Sequence, residues 1–588
     1  MSLHPPFREA AEAWLSEDPD PKTAGELREL IGRADRGDAA AQRELHERFD
    51  GQLEFGTAGL RGLLGAGPQR MNRVLVRKVT AGLAAYLRAH APDAAQPPRQ
   101  GSRPSDVGPT LSVVIGHDAR HNSRVFAEDT ARVLAGAGIR AQLAHRPWPT
   151  PTTAWAVVEL GACAGVMVTA SHNPPAYNGY KVYWGNGAQI IPPHDTGIAA
   201  AIAKIGRADA LPMPELAEAR RSGLVVDLGE ELHDRYIHEV VALRAQPELA
   251  VQHLIVAYTP MHGVGAASVE PAMARAGFQH VHVEPSQREP HPDFPTVAFP
   301  NPEEKGAMDR VLALAARVTA DLVLANDPDA DRLCVAVPEG PGFRVLTGDQ
   351  IGALLADYLL EVGPKGARMV ATTVVSSQLL SYLAKQAGAE YRETLTGFKW
   401  IGNAAMDYER EHGGRFVMGY EEALGYSVGP LVRDKDGVSA CVVFGELACW
   451  NRARGKTVLE HLDDIYRRVG LFVTEQVSIT KPGAEGIAQI RAAMARFRAE
   501  PPRAIGGHVI DEVVDLNRGQ GGLPKSDVLV FRLAGGRRVI MRPSGTEPKL
   551  KSYYEVRVAV GSGESIAAAR ARGQAELAAL RDAHQAMI

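Results

Sequence analysis

The sequence predicts an α/β protein that ends in a distinct α+β domain, and two patterns carry this prediction. Short apolar runs rich in Val and Ile end in Gly, Asp, Asn or Pro and are followed by Ala/Leu/Arg-rich helical stretches. This alternation is typical of buried sheets that are mixed or largely parallel. After about residue 460 the strands instead alternate apolar and polar residues, as in an antiparallel sheet with one covered face. At about 150 residues per domain, 588 residues fit roughly four domains.

The elements begin with a helical prelude. Residues 8–50 place apolar side chains at helical spacing, and Pro19 and Pro21 interrupt the run. Residues 90–109 are rich in Pro and polar residues without periodicity, which indicates a surface insertion. Buried strands are predicted in six runs: L-S-V-V-I-G-H-D (111–118), G-V-M-V-T-A-S-H-N-P (165–174), L-I-V-A-Y-T-P (254–260), D-L-V-L-A-N-D-P-D (321–329), M-V-A-T-T-V-V-S-S (369–377) and R-F-V-M-G-Y-E-E (415–422).

Composition argues against several classes of protein. With 65 basic and 69 acidic residues the net charge is −4, which argues against nucleic acid as a partner. There is no run of about 18 apolar residues and no basic lead followed by an apolar core, so neither a membrane anchor nor export is expected. The cysteines are too sparse for a disulfide framework, which indicates a reducing, cytoplasmic compartment. They are Cys163, Cys334, Cys441 and Cys449.

Three carboxylates alternate in N-D-P-D-A-D-R, directly after a buried strand: Asp327, Asp329 and Asp331. A cluster of oxygens of this kind is what hard divalent cations require. An EF-hand loop would need Gly and Glu where this chain has Arg332 and Pro338. A structural Asp-rich turn is the alternative to a metal site.

Ser171 and His172 stand in T-A-S-H-N-P, at the end of another predicted strand. An exposed serine beside a possible base suits covalent catalysis. The alternative is a turn that only ends the strand. The absence of a G-x-S-x-G elbow around Ser171 argues against an acyl-transferring hydrolase.

R-P-S-G-T-E-P, residues 542–548, combines one guanidinium with two hydroxyls and the backbone amides of a glycine turn. Arginine and turn amides are common ligands of phosphate, so the segment is a candidate phosphate cradle or an ordinary loop. By contrast, G-K-T at 455–457 resembles the end of a P-loop, but the first glycine of that motif would fall on Trp450.

Five segments in order, spread over nearly the whole chain, together resemble the α-D-phosphohexomutase superfamily of phosphoglucomutases and phosphomannomutases. The first and the fourth look closest to its phosphoglucomutase-2 and phosphopentomutase branch. The segments are G-T-A-G-L-R-G (56–62), T-A-S-H-N-P (169–174), D-P-D-A-D-R (327–332), G-Y-E-E-A-L-G-Y (419–426) and R-P-S-G-T-E-P (542–548).

This resemblance implies the domain organisation. Three similar α/β domains with mixed sheets and a C-terminal α+β domain would surround a central cleft, each contributing one loop. We place the domains at residues 1–205, 206–325, 326–455 and 456–588.

The resemblance also implies the chemistry, a phosphosugar mutase that interconverts glucose 1-phosphate and glucose 6-phosphate. Ser171 would carry the transferable phosphoryl group. Asp327, Asp329 and Asp331, with an oxygen on Ser171, would bind one Mg²⁺ per chain. A sugar 1,6-bisphosphate would be the intermediate and the activator, and the partner a small phosphosugar.

Further site residues follow from the matched motifs. Arg61 and Lys181 would lie near the reacting centre, and Lys181 ranks ahead of His172 as general base. Glu421 would contact sugar hydroxyls. The phosphate that is not reacting would be held by Arg542, Ser544, Gly545 and Thr546.

One departure from the family pattern concerns the sugar. Many hexose-phosphate members carry Ser two residues after the glutamate, where this chain has Ala423. Mannose and pentose phosphates are therefore alternative substrates. A phosphosugar phosphatase would lack the phosphate cradle and an inactive scaffold would lose the serine or an aspartate, yet all these residues are present.

Overall fold

The computed structural model describes residues 5–54, 59–90, 111–481, 483–544 and 549–588. The chain forms two compact units, one of Met1–Leu346 with Gly425–Glu446, the other of Thr347–Leu424 with Leu447–Ile588. The domain boundaries at 205, 325 and 455 stay a prediction.

The helices of the described residues are α1 (Pro5–Glu17), α2 (Pro21–Asp35), α3 (Ala39–Phe49), α4 (Arg73–Ala89), α5 (Ser123–Gly136), α6 (Thr150–Glu159), α7 (His194–Ile202), α8 (Leu216–Arg221), α9 (Glu230–Val241), α10 (Ala266–Arg275), α11 (Asp309–Val318), α12 (Gly348–Val362), α13 (Leu379–Ala387), α14 (Phe398–His412), α15 (Gly437–Ala453), α16 (Val458–Val469), α17 (Gly483–Ala499) and α18 (Ile566–Gln585).

The strands of the described residues are β1 (Leu60–Leu63), β2 (Ser112–His117), β3 (Arg140–Ala144), β4 (Ala164–Val168), β5 (Tyr177–Trp184), β6 (Val225–Leu228), β7 (Ile255–Thr259), β8 (His280–Val283), β9 (Leu322–Ala325), β10 (Cys334–Glu339), β11 (Gly342–Val345), β12 (Arg368–Thr373), β13 (Glu390–Thr394), β14 (Arg415–Glu421), β15 (Gly425–Val428), β16 (Leu471–Thr480), β17 (Ala504–Ile505), β18 (His508–Asp515), β19 (Leu529–Leu533), β20 (Arg537–Pro543) and β21 (Lys549–Val558).

Helices α1 to α3 lie where the sequence predicts a helical prelude. Pro21 occupies the first position of α2, where its missing N–H costs no hydrogen bond. Asp20 and Asp38 cap α2 and α3 by accepting backbone N–H bonds. Their apolar faces share a core cluster with Val74 of α4, so the prelude packs on the first sheet's helices. Most of the predicted insertion, residues 91–110, lies outside the described residues.

The first sheet places T-A-S-H-N-P at the carboxyl edge of parallel strands. Its order is β1-β5-β4-β2-β3-β6. Strands β4, β2, β3 and β6 run parallel, whereas β5 and β1 add antiparallel pairs. Strands β2 and β4 are buried along their whole length, which explains their continuous apolar sequence. Ser171 follows β4, at the edge where open α/β sheets bind ligands.

The second sheet presents the aspartate turn in the same way. Its order is β11-β10-β9-β7-β8, with β7 parallel to β8 and β9 and with β10 antiparallel to β9. All four residues of β9 are buried. The chain leaves the carboxyl end of β9 through Asn326 into Asp327.

The second unit contains both sheet types. Strand β12 pairs in parallel with β13 and β14. The C-terminal sheet has the order β16-β21-β20-β19-β18-β17 and is antiparallel throughout. Along β16, exposed residues alternate with partly buried ones, as the sequence predicts. The predicted fold class, α/β followed by an α+β domain, is therefore confirmed.

The G-K-T segment lies between two helices. Thr457 is the N-cap of α16 and forms a capping box with Glu460. Helix α15 precedes the motif, so the segment lacks the strand–loop–helix arrangement of a P-loop. Within the described ranges, no helix is long and apolar enough to cross a membrane.

Candidate active site

Ser171 is held in a strained turn against the aspartate cluster. Its backbone φ is +51°, in the left-handed region that non-glycine residues rarely adopt. Its hydroxyl donates to Asp327 Oδ2 at 2.9 Å and lies 3.1 Å from His172 Nδ1. Ser171 and Asp327 are 156 positions apart. The structure therefore brings together two motifs that the sequence presents separately.

The buried ion pair of Arg120 with Asp118 holds the Ser171 loop in place. Arg120 Nη2 donates to the Ser171 carbonyl at 2.6 Å, and its other terminal nitrogen donates to Pro174 O at 2.9 Å. Asp118 accepts the Thr169 hydroxyl at 2.6 Å, and that hydroxyl in turn accepts the Ser171 N–H at 2.9 Å. Burial raises the pKa of Asp118, although the Arg120 charge opposes it. Arg120 therefore holds the carbonyl groups of the Ser171 turn, and Asp118 holds its N–H side through Thr169.

Asp327, Asp329 and Asp331 converge on one point. All three are fully buried, and one carboxylate oxygen from each lies within 4.8 Å of the others. Ala330 takes a positive φ of 54°, and its N–H bonds back to Asp327 O at 2.9 Å, which closes the turn. The backbone N–H of Arg332 donates to Asp327 Oδ1 at 3.0 Å.

A neighbouring loop supports this turn by close backbone contact. Val264 N donates to Pro328 O at 2.8 Å. A Cβ on Gly263 would overlap the Pro328 backbone, so only glycine fits there. Met261 and His262, just before it, both have positive φ angles. The turn therefore depends on a strained loop from β7 as well as on β9.

Two ammonium groups offset part of the negative charge of the aspartates. Lys181 Nζ lies 2.8 Å from Asp329 Oδ2 and 3.0 Å from Asp331 Oδ2. Lys435 Nζ lies 3.2 Å from Asp331 Oδ2. Burial alone would lower the pKa of Lys181, but Asp329 and Asp331 raise it above its ordinary value. Its ammonium is therefore a fixed charge within the cluster.

The pKa values of Asp327 and Asp329 are shifted in opposite directions. Burial, with the charges of Asp329 and Asp331, raises the pKa of Asp327 well above its ordinary value. Burial would raise the pKa of Asp329 too, yet Lys181 lowers it. This crowding of buried negative charge calls for a further cation.

The residues fit a divalent metal ion. The Oδ2 atoms of Asp329 and Asp331 accept the lysines, whereas the Oδ1 atoms of both are buried and have no hydrogen-bond partner among the described residues. An orphaned buried carboxylate oxygen is costly, and a hard cation with oxygen ligands would satisfy it. The three aspartates could therefore hold a metal ion.

Arg61 contacts the Ser171 loop through Asn173, and His172 adjoins Ser171. Arg61 Nη1 donates to Asn173 Oδ1 at 2.8 Å, and burial lowers its pKa from the ordinary value. Burial, with the charges of Arg332 and Arg61, lowers the pKa of His172 well below its ordinary value. The imidazole is therefore neutral at neutral pH.

Sequence reasoning missed several residues of this centre. D-A-R follows the first predicted strand, and R-D-K-D-G is a compact charged group, so both segments carry a local signal. Thr150 carries no such local signal, apart from its position directly after Pro149. The missed residues are Asp118, Arg120, Thr150, Thr169 and Lys435.

In the second unit, Glu421 ends strand β14. Its Oε1 accepts the backbone N–H of Gly397 at 2.8 Å. Gly397 has a φ of +115° just before α14, which brings its N–H to this carboxylate. Glu421 is half-buried and fixed by a loop of its own unit.

The predicted phosphate cradle is the hairpin between β20 and β21. Arg542 pairs in register with Lys551, so two cationic side chains occupy neighbouring strands. Ser544 N donates to Lys549 O at 2.8 Å, which closes the hairpin. Gly545 and Thr546 lie outside the described residues.

Four domain models of the phosphoglucomutase/phosphomannomutase family match the chain in order. Its three α/β/α domains match residues 52–209, 234–340 and 347–469, and its C-terminal domain matches residues 481–572. A probable phosphomannomutase of Haemophilus influenzae is 41% identical, over 83% of this chain and 93% of its own. A probable phosphoribomutase of Schizosaccharomyces pombe is 37% identical over 94% of each chain. Mouse phosphopentomutase is 34% identical, over 94% of this chain and 90% of its own.

The same fold occurs in the crystal structure of a putative phosphomannomutase from Thermus thermophilus. That protein is 22% identical with a TM-score of 0.66, and the match covers 90% of this chain and 98% of that one. The chain belongs to the phosphoglucomutase/phosphomannomutase family, within the α-D-phosphohexomutase superfamily. It is accordingly a phosphosugar mutase, an isomerase.

Proposed function

We propose that this mutase interconverts glucose 1-phosphate and glucose 6-phosphate through a phosphoserine at Ser171 and a glucose 1,6-bisphosphate intermediate. The observation that carries the proposal is the contact between Ser171 and Asp327, because it puts the acceptor hydroxyl in hydrogen-bond contact with a buried carboxylate cluster. Phosphoryl transfer needs mainly positioning and charge neutralisation, and this arrangement supplies both.

Each half of the cycle moves one phosphoryl group. The free hydroxyl oxygen of a monophosphorylated sugar attacks the phosphorus on Ser171 and the P–Oγ bond breaks, leaving its electron pair on Oγ. The hydroxyl proton passes to Oγ, and a sugar bisphosphate forms. In the second half Oγ attacks the phosphorus of the other phosphate, and the bond from that phosphorus to the sugar oxygen breaks with its electron pair left on the sugar oxygen. The Ser171 proton passes to that oxygen, so phosphoserine is regenerated and the isomeric monophosphate is released.

The contacts suggest separate roles for Lys181 and His172. Lys181 Nζ donates to two carboxylates and lies 3.5 Å from the Thr150 hydroxyl, so it serves as a fixed positive charge. His172 Nδ1 lies 3.1 Å from Ser171 Oγ and relays the proton to and from that atom. These contacts favour His172 over Lys181 as the proton carrier, the reverse of the order expected from the motifs.

Asp327, Asp329 and Asp331 would hold one Mg²⁺. When bound, this ion supplies positive charge against the oxygens of the phosphoryl group. Arg61 adds a cation on the Asn173 side of the Ser171 loop.

We assign the remaining substrate contacts to Glu421 and to the hairpin that carries Arg542. The cradle in the β20–β21 hairpin holds the phosphate that is not reacting, and Glu421 binds sugar hydroxyls. Arginine suits this task because its planar fork matches two phosphate oxygens. The cradle residues are Arg542, Ser544, Gly545 and Thr546.

A pentose phosphate is the second candidate substrate. Relatives named phosphoribomutase and phosphopentomutase match 94% of this chain. Ala423 also removes a hydroxyl that many hexose-phosphate members present to the sugar. Mannose phosphates are the third candidate, since the Haemophilus relative is a probable phosphomannomutase.

One assay separates the candidates. The quantity to compare is kcat/KM for glucose 1-phosphate, mannose 1-phosphate and ribose 1-phosphate, each with a trace of the matching bisphosphate. We expect the glucose value to be highest. A tenfold preference for ribose or mannose would replace the glucose assignment, and release of inorganic phosphate at the rate of turnover would indicate a phosphatase.

A further inference from the structure

Thr150 contacts the metal-site turn through both its backbone and its side chain. It is the first residue of α6, and its N–H is one of the donors that a helix cannot satisfy internally. That N–H donates to Asp329 O at 2.9 Å, and its hydroxyl donates to Asp329 Oδ2 at 2.6 Å. Thr150 is fully buried.

The hydrogen bond from the Thr150 hydroxyl makes the two carboxylate oxygens of Asp329 unequal. Oδ2 accepts both Thr150 and Lys181, whereas Oδ1 is buried without a partner among the described residues. Rotating the carboxylate would break two charge-assisted bonds, so the two donors together fix which oxygen is unpaired.

Lys181 by itself does not fix this orientation. Its ammonium is shared between Asp329 and Asp331, and its four-carbon stem has more rotatable bonds than the Thr150 side chain. The Thr150 side chain has a single rotatable bond before its hydroxyl, at the start of a buried helix. The stiffer of the two donors is therefore Thr150.

We propose that Thr150 is a positioning residue of the metal centre, which aims Asp329 Oδ1 at the ion by holding Oδ2. The inference rests on the proposed function for its metal site, and it assigns to Thr150 no contact with substrate. Residues that hold metal ligands in place commonly change metal affinity about 10- to 100-fold when they are removed.

The test measures Mn²⁺ binding to the full-length chain by electron paramagnetic resonance, in wild type and in matched variants. Thr150→Val removes the hydroxyl but keeps the branched shape and the backbone bond, and we expect its Kd for Mn²⁺ to rise about 10- to 100-fold. Thr150→Ser keeps the hydroxyl, and its Kd should stay within about threefold of wild type. Thr153→Val is the control, since it removes a buried hydroxyl from the same helix whose acceptor is Met167 Sδ at 3.4 Å.

The outcomes separate this inference from the proposed function. If wild type binds no Mn²⁺, the metal site of the proposed function fails. If wild type binds Mn²⁺ and Thr150→Val binds it equally well, only the positioning role is overturned. Equal losses in Thr150→Val and Thr150→Ser would also overturn it, because the hydroxyl would not be the cause.

Thermal unfolding without metal identifies a merely structural effect. Should Thr150→Val fail to fold, Thr150→Ala takes its place with the same expectation. A variant that unfolds at a lower temperature without metal but keeps the wild-type Kd would show that Thr150 supports only the fold.

Discussion

The centre around Ser171 and the hairpin that carries Arg542 differ in how completely the fold fixes them. Ser171 is 3% exposed and the three aspartates are fully buried, and hydrogen bonds join Ser171 to Asp327 and Asp329 to Thr150 from far along the chain. Arg542 and Ser544 are only half-buried, and the hairpin is closed by bonds between adjacent strands. The first region is preorganised, whereas the second stays accessible to solvent.

This difference matches the two tasks in the proposed cycle. A reacting centre gains from fixed charges in a buried site, because they need no reorganisation during the transfer. A cradle must accept either end of a bisphosphate in turn, so it has to admit and release a phosphate. Removing a group from the first region should therefore cost more activity than removing one from the second.

The largest effect is expected from Ser171→Ala. Loss of the acceptor hydroxyl should lower kcat by roughly a thousandfold or more, because no other group receives the phosphoryl group. Intact-mass spectrometry should show a fraction of wild type carrying one phosphoryl group and none of the variant. Ser222→Ala, at an exposed position, is the control. Substantial turnover by a folded Ser171→Ala variant would refute the assignment.

The next effect concerns the metal. Chelation should abolish activity and Mg²⁺ should restore it, because the buried carboxylates need the ion to bind a phosphoryl group. Asp329→Asn should weaken Mg²⁺ binding at least tenfold, as it removes an anionic ligand. Zn²⁺ should be a poor substitute for this oxygen-ligand site. Asp309→Asn, at an exposed site, should leave binding unchanged. Activity indifferent to a chelator would support the structural-turn alternative.

A smaller effect is expected in the cradle. Arg542→Ala should lower kcat/KM about tenfold to a hundredfold in both directions, since each phosphate occupies the cradle once per cycle. Dependence on added bisphosphate should rise, and Arg542→Lys should recover only part of the loss. Arg532→Ala, which removes an exposed ion pair with Glu512, is the control. Values near wild type for Arg542→Ala would leave the hairpin a structural loop.

A buried carboxyl group of the second unit, outside both regions, predicts a pH effect on stability. In the second unit, burial raises the pKa of Asp349 to about 7, with Glu422 and Glu555 adding to it and Arg538 opposing it. The folded state then binds the proton more tightly than the unfolded one. The contribution of Asp349 to the free energy of unfolding is therefore fully present at low pH. It is lost as pH rises from about 4 to about 7, by about 1.4 kcal/mol per pH unit at most.

Asp349→Asn tests this sign. The variant keeps an acceptor for the Ser377 N–H, which bonds Asp349 Oδ1 at 2.7 Å. The free energy of unfolding of the variant minus that of wild type, both measured by urea denaturation, should increase as pH rises from about 4 to about 7. Above about pH 7 this difference should stay constant. The same substitution at the exposed Asp511 should produce no such trend. A parallel pH profile for wild type and Asp349→Asn would contradict the prediction.

The smallest effect is expected at Thr457. Thr457→Ala removes the capping box of α16 and should cost about 1 kcal/mol of stability while kcat/KM stays unchanged. Thr457→Ser should restore the stability. A loss of activity without a loss of stability would mean that this motif contributes to the chemistry after all.

The sequence predicted those parts of the site that depend on a few neighbouring residues. Asp327, Asp329 and Asp331 span five positions that begin two residues after a buried strand, so a turn suffices to bring them together. Ser171 likewise follows its strand directly. The sequence also argued against a P-loop at G-K-T, because Trp450 stands where that motif needs its first glycine, and helix α15 before the segment agrees with this.

What the sequence by itself determined is the fold class, the strand-end positions of the reactive residues and, through five ordered motifs, the family. These properties follow from hydrophobic periodicity and local chemistry, which are legible along the chain. Tertiary structure alone decided the partners: Ser171 meets Asp327 across 156 positions, and Thr150 meets Asp329 across 179. Such contacts depend on how separate sheets pack and on which buried polar atoms must be satisfied. No local pattern encodes that packing, which is why Thr150 became visible only in the folded chain.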